Sequence, residues 1–191
     1  MTGIVLAGGR SSRMGRDKSV LPWHNSDLVQ TVIRKVGQVC EDIVLVSNQP
    51  RNVPPGVRVV GDIIPDMGPL GGIHAGLTHA KSPFAFVTAC DMPYIVPEAI
   101  SFLLQQAGEE WDVVIPSNGD QFEPMFAVYR QTCIPAIETL LKENRRQIIG
   151  FFPLIRLKRI DISRLRQFDK ELTMFTNINT AEEYARALQG Q

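Results

Sequence analysis

The chain has 191 residues, of which 44% are hydrophobic and 21% charged, and its formal net charge is zero. That length suits one domain with a sizeable core, and the charge balance argues against general nucleic-acid binding, which needs a basic surface. Apolar runs fall well short of the ~20 residues of a membrane span, and Met1-Thr2 leads almost at once into the first strand with no signal peptide before it, so a cytoplasmic location is expected. Three cysteines, Cys40, Cys90 and Cys133, form no C-x-x-C pair. This argues against a disulfide framework or a structural zinc site. His74 and His79 are five apart and do not share a helix face.

Ile4 to Ala7 reads as a buried strand. It breaks into Gly8-Gly9 and a basic loop that carries Arg10, Arg13, Arg16 and Lys18 against a single Asp17. Glycines let a backbone approach a ligand and point N–H groups at it, and the cations suit phosphate. The spacing is not that of a P-loop, because five residues separate Gly9 from Gly15 and Arg16 follows. Nor is it G-x-G-x-x-G, because Gly8 and Gly9 are adjacent. The loop directly follows the first strand of an alternating α/β chain, and ligands bind beyond the carboxyl ends of such strands.

Val20 to Trp23 reads as a short apolar turn, and Leu28 to Cys40 as an amphipathic helix. Ile43–Val46 and Val57–Val60 read as strands, which Asn48 and Asp62 follow closely. Two prolines and three glycines make 65–72 a loop, with a helix over 73–80. Glycines there, Gly68 and Gly72 among them, would allow backbone contact to a base or ribose. Phe84 to Thr88 is a strongly apolar strand that runs into Ala89-Cys90-Asp91-Met92-Pro93. Asp91 is six residues upstream of Pro97, where the next helix starts, so it has no capping role there. Mg²⁺ takes one or two carboxylates plus phosphates and waters, and Asp91 suits it.

Glu98 to Gln106 reads as a helix, Asp112 to Pro116 as a strand and Ile134 to Leu141 as a helix. A short helix is expected to start over Glu143 to Gln147, where Arg145-Arg146 read as a solvated face, with an anchor for an anionic acceptor as the second reading. Leu157 to Ile162 is an edge strand whose charges protect the edge. Thr180 and Glu183 fit a capping box. Asn177 and Asn179 lie two apart on one face of an extended segment, and each amide offers donors and acceptors. The fold expected is a single α/β domain over 1–191, a Rossmann-like, mostly parallel twisted sheet flanked by helices.

A basic glycine loop and a metal-type aspartate at the strand ends suit nucleotidyl transfer. There an anionic phosphate attacks an α-phosphorus, and Arg, Lys and Mg²⁺ offset the repulsion. Arg13 and Lys18 are assigned to phosphate charge, and Asp91 to Mg²⁺. Leu6, Ala7, Gly8 and Gly9 are assigned to backbone contacts, and Asn48 and Asp62 to the base or ribose. The residues alone reach a Mg²⁺-dependent nucleotidyltransferase. A non-catalytic nucleotide-binding regulator and a cofactor-delivery module are the readings from other classes, and the retention of Lys18 and Asp91 argues against the regulator.

L-A-G-G-R-S-S-R-M-G-x-D-K resembles the signature loop of the nucleotidyltransferases with a glycosyltransferase-A-type fold. Its opening Leu6-Ala7-Gly8-Gly9 resembles the molybdenum cofactor guanylyltransferases; cytidylyl relatives usually carry A-A-G. G-P-L-G-G-I, C-D-M-P and F-x-N-I-N-T are similar to the same family's second nucleotide motif, metal-binding motif and pterin-contacting motif. The resemblance implies GTP and molybdenum-bound molybdopterin as substrates, with Asn177 and Asn179 facing the pterin. It also implies transient contacts with molybdenum-insertion proteins and recipient molybdoenzymes. Residues 1–95 would mainly bind nucleotide and 96–191 mainly the acceptor. Glu123 stands where the family often has His, so it is assigned no role.

Overall fold

A computed structural model describes residues 1–8, 21–24 and 26–189 of the chain. In chain order the elements are β1 (Thr2–Leu6), β2 (Pro22–Trp23), β3 (Ser26–Asp27), α1 (Leu28–Val36), β4 (Asp42–Val46), β5 (Val57–Val60) and α2 (Gly68–His79). Next come β6 (Phe84–Ala89), α3 (Pro97–Gln105), β7 (Val113–Asn118), β8 (Gln121–Phe122), β9 (Phe126–Arg130), α4 (Ile134–Lys142), β10 (Leu157–Asp161) and α5 (Ala181–Gln189). The main sheet runs β10-β7-β9-β6-β1-β4-β5, with β8 paired to β7. β6, β1, β4 and β5 are mutually parallel, as are β7 and β10. β9 runs antiparallel between β6 and β7.

β1 sits between β4 and β6 and is buried along its whole length. Its side chains alternate between two cores, as strand geometry requires. Val5 packs with Val32 and Val36 of α1 and Ile100 of α3. Ile4 and Leu6 pack with Leu70 and Ile73 of α2 and Ile137 of α4. Burial on both faces is why these parallel strands read as continuous apolar runs rather than alternating ones.

The helix after β5 begins at Gly68, five residues before the position expected from sequence, so Pro69-Leu70-Gly71-Gly72 is helical and not loop. Proline occupies the first turn, where its missing N–H costs nothing. The glycines serve close packing. A Cβ on Gly71 would stand 2.7 Å from Met67 Cβ, and one on Gly76 would stand 2.5 Å from Ile4 Cγ2. Composition marked a loop, and packing against β1 overrides it.

Three other expectations need correction. Pro22-Trp23 is a strand, paired with Ser26-Asp27. The first helix ends at Val36, and Gly37 caps it. No helix forms over 143–147 among the described residues. Instead α4 ends in a Schellman motif: Asn144 takes a left-handed φ of 55° and its N–H donates to Leu141 O, while the Arg145 N–H donates to Leu140 O. The edge strand is as expected, at β10. The capping box is also as expected: Thr180 Oγ1 accepts the Glu183 N–H and Glu183 Oε2 accepts the Thr180 N–H.

Asp112 joins β7 to the chain entering β10. Its carboxylate accepts from the Arg156 N–H at 2.9 Å, the Arg156 guanidinium and the Thr132 hydroxyl at 2.7 Å. The Arg156 guanidinium holds the Asp112 carboxyl well below the usual carboxylate range. Asp112→Ala should destabilise the fold by about 2 kcal/mol, since a backbone N–H and a hydroxyl lose their acceptor. A depressed native pKa means that this stability is present above the unfolded value of about 3.9 and fades as pH falls. The difference between wild type and Asp112→Ala should therefore shrink below about pH 4, and paired urea titrations at pH 7 and pH 3 check both statements.

Candidate functional site

At the carboxyl ends of β1 and β4 lies a cavity of about 710 Å³. It is lined by Leu6, Ala7 and Gly8 at and after the end of β1, by Val46 to Gln49 and Arg51 at and after the end of β4, by Asp62, Asp66, Gly68, Pro69 and Gly72, and by Arg146. Of the residues assigned to nucleotide binding, the cavity gathers Leu6, Ala7, Gly8, Asn48, Asp62, Gly68 and Gly72. A Cβ added at Gly8 would meet nothing within 4 Å, so the backbone there faces open space. Gly72 lies against Leu6, where a Cβ would come within 3.2 Å of Cδ1, so its glycine serves packing while its backbone still lines the cavity. Gly9, Arg13 and Lys18 lie outside the described residues.

Asn48 and Asp62 form a reciprocal pair. The Asn48 amide donates to Asp62 Oδ2 at 2.8 Å, and its oxygen accepts the Asp62 N–H at 2.8 Å. Strand order explains the pairing, because β4 and β5 are neighbours and their ends emerge side by side. Asn48 therefore holds the Asp62 carboxylate against the cavity wall.

Asp91 stands one strand over, past the end of β6, and does not line the cavity. The turn that carries it is fixed from four sides. Cys90 N–H donates to Leu6 O at 3.0 Å and Met92 N–H to Ala89 O at 3.3 Å. The ammonium of Lys35 on α1 donates to Pro93 O at 2.7 Å; burial, with Arg34 beside it, lowers the Lys35 pKa. The fourth tie comes from the far end of the chain, where Ile178 N–H donates to Asp91 O at 2.9 Å. That bond sets Asn177 and Asn179 on either side of a residue joined directly to Asp91.

Ile178 is buried with Trp23 and Leu28, and Leu21, Tyr94, Tyr184 and Ala187 pack around them. The Tyr184 hydroxyl donates to Pro22 O. Asn177 is exposed and Asn179 half-buried. The Asn179 N–H donates to Glu183 Oε2 at 2.6 Å, extending the capping box by one residue.

The donor set fits a hard cation better than a zinc-like one. Asp91 offers carboxylate oxygen at the rim of the sheet, and no cluster of three or more His, Cys, Asp or Glu able to hold a metal occurs among the described residues. Mg²⁺ needs no such cage, because phosphates and waters complete its octahedron. His74 is buried against Glu138, with Nε2 at 3.3 Å from Oε1, and serves the α2–α4 contact. Burial raises the Cys40 thiol to about 11 and the Cys133 thiol to about 12, which leaves both unreactive. Burial also raises the Glu123 carboxyl, but Glu123 does not line the cavity.

Sequence reasoning missed Ser47, Gln49 and Arg51 as cavity residues, took in Asp66 and Pro69 only as part of the loop over 65–72, and placed Arg146 on a solvated face. For Arg146 a signal existed: an asparagine after an amphipathic helix marks a left-handed stop. Past Asn144, the Arg146 guanidinium donates to Asn144 Oδ1 through Nε and Nη2, and Arg146 lines the cavity. Arg51 follows a stretch rich in turn formers and carried no signal.

Comparison with known proteins accords with this geometry. The profile of the MobA-like NTP transferase domain matches residues 3–157. A probable molybdenum cofactor guanylyltransferase of Pelotomaculum thermopropionicum is 37% identical over 187 residues, covering 97% of this chain and 91% of that protein. The molybdenum cofactor guanylyltransferase of Desulfosudis oleivorans is 36% identical, covering 98% and 94%. The crystal structure of molybdopterin-guanine dinucleotide biosynthesis protein A from Archaeoglobus fulgidus superposes with a TM-score of 0.85 at 28% identity, over 99% of this chain and 97% of that one.

Proposed function

This chain belongs to the MobA-like NTP transferase family, alongside the molybdenum cofactor guanylyltransferases, and on that premise we propose that it transfers GMP from GTP to molybdenum-bound molybdopterin and releases pyrophosphate. That it is a nucleotidyltransferase of molybdenum cofactor biosynthesis follows from the family. The base, the metal and the acceptor are our own reading. The observation that carries it is the hydrogen bond from Ile178 N–H to the main-chain oxygen of Asp91, which ties the segment bearing the asparagine pair to the turn that carries Asp91, one strand from the cavity.

In this reading the backbone of Leu6, Ala7, Gly8 and Gly9 cradles the donor, and Arg13 and Lys18 neutralise its triphosphate. Asp62, held by Asn48, takes a donor edge of the base or ribose. Backbone at Gly68 and Gly72 borders the nucleoside. Asp91 would hold Mg²⁺, which when bound withdraws charge from the α-phosphate and from departing pyrophosphate. Asn177 and Asn179 orient the pterin so that its phosphate meets the α-phosphorus in line. No side-chain nucleophile is required. Residues 1–95 supply most of the nucleotide wall and 96–191 the acceptor wall, with Arg146 crossing to the nucleotide side. No helix among the described residues is long and apolar enough to cross a membrane.

Thermal unfolding with GTP, CTP, ATP and UTP, each with and without Mg²⁺, tests the donor. At a hundredfold excess over Kd a ligand stabilises by about 2.7 kcal/mol. GTP with Mg²⁺ should give the largest shift in Tm, and a response to CTP but not to GTP would overturn the guanylyl assignment.

A further inference from the structure

We propose that Arg51 is a specificity-determining residue for the donor base, and that it reads the acceptor edge of guanine. This rests on the nucleotidyl-transfer reading above. Strand order sets the direction in which a bound nucleotide runs. Asp91 follows β6 on one side of β1, while β4 and β5 lie on the other. With the α-phosphorus beside Asp91, the nucleoside extends across the end of β1 toward β4 and β5. Neighbouring strands stand about 4.8 Å apart, so those ends lie about 10 and 14 Å from that of β6. The base therefore falls beside Arg51 and Asp62, which share the cavity there.

Arg51 is held ready for such a contact. Its Nε donates to Ser47 Oγ at 3.0 Å, and its Nη2 approaches Ala7 O at 3.5 Å. Ser47 is buried at the end of β4, and its hydroxyl accepts the Gln49 N–H at 3.2 Å and donates to Gln49 O at 3.0 Å. A guanidinium anchored in this way has less rotamer freedom to lose when a ligand arrives. The cavity thus sets a fixed donor fork near a fixed carboxylate, Asp62. Guanine matches both, with O6 and N7 as acceptors and the ring N–H and amino group as donors. Arginine pairs with O6 and N7 through two hydrogen bonds, whereas adenine replaces the O6 acceptor by an amino donor, which a guanidinium cannot pair with.

Calorimetric Kd values for GTP, 7-deaza-GTP and ATP, each with Mg²⁺, test the assignment in the wild type, Arg51→Ala and Ser47→Ala. Wild type should bind 7-deaza-GTP about tenfold more weakly than GTP, since one of the two bonds is lost. Arg51→Ala should weaken GTP at least tenfold and bind GTP and 7-deaza-GTP alike. Ser47→Ala should move in the same direction by less. Equal losses for GTP, 7-deaza-GTP and ATP in Arg51→Ala would mean a phosphate contact or a structural role and would overturn the proposal. So would a wild type that does not distinguish 7-deaza-GTP, a result that holds even if the variant folds poorly. A wild type with no preference for GTP over ATP would sink the guanylyl reading and this inference together. A GTP-selective wild type whose selectivity survives in Arg51→Ala would sink this inference alone.

Discussion

Asp91→Asn should fold as the wild type does and lose at least about 100-fold in turnover, the range seen when a preorganised electrostatic group is removed from a transition state. The amide has the shape of the carboxyl group but lacks its charge, and it is a poor ligand for Mg²⁺. Backbone bonds that the substitution keeps hold this turn: Ile178 N–H to Asp91 O, and Cys90 N–H to Leu6 O. The Lys35 ammonium adds a further tie, to Pro93 O. The measurements are Tm and the rate of pyrophosphate release with saturating GTP and acceptor. An unchanged Tm with near-normal turnover would remove Asp91 from the chemistry.

The second large effect is expected at the far end of the chain. Asn177→Ala with Asn179→Ala should raise the KM for molybdopterin about tenfold or more while leaving the Kd for GTP unchanged. Two lost hydrogen bonds of about 1 kcal/mol each exceed the 1.4 kcal/mol that makes a factor of ten. Stability should hold, because Asn177 is exposed and the capping box uses the backbone N–H of Asn179, which the substitution keeps. Loss of GTP affinity to the same degree as acceptor affinity would mean that the substitutions disturb the Asp91 turn through Ile178 rather than an acceptor contact.

The parts of this architecture that could be read from sequence share a physical cause. β1, β4 and β6 are buried on both faces and end in small or polar residues, so their apolar runs stand out without any three-dimensional information. Asp91 and Asn48 could be found because each follows such a run, and Asp62 because it follows the short apolar edge strand β5; ligands collect at the carboxyl ends of parallel strands. What could not be read depends on contacts distant in sequence. Gly71 and Gly72 signal a loop by composition, yet they sit in α2, where a Cβ would crowd Met67 or Leu6. Arg51 lines the cavity with its guanidinium bonded to Ser47 and close to Ala7 O, contacts that its place in a turn-rich stretch does not announce. The asparagine pair could be seen as a pattern, but its junction with Asp91 depends on a single long-range backbone hydrogen bond and on the packing of Ile178 with Trp23 and Leu28.

The most direct test supplies the purified protein with Mg²⁺, GTP labelled at the α-phosphate and molybdenum-bound molybdopterin, and follows both products. The label should enter a molybdopterin guanine dinucleotide, with one pyrophosphate released per label transferred and none released when the acceptor is left out. Label that stays in GMP, pyrophosphate that forms without acceptor, or faster transfer from CTP than from GTP would contradict the account.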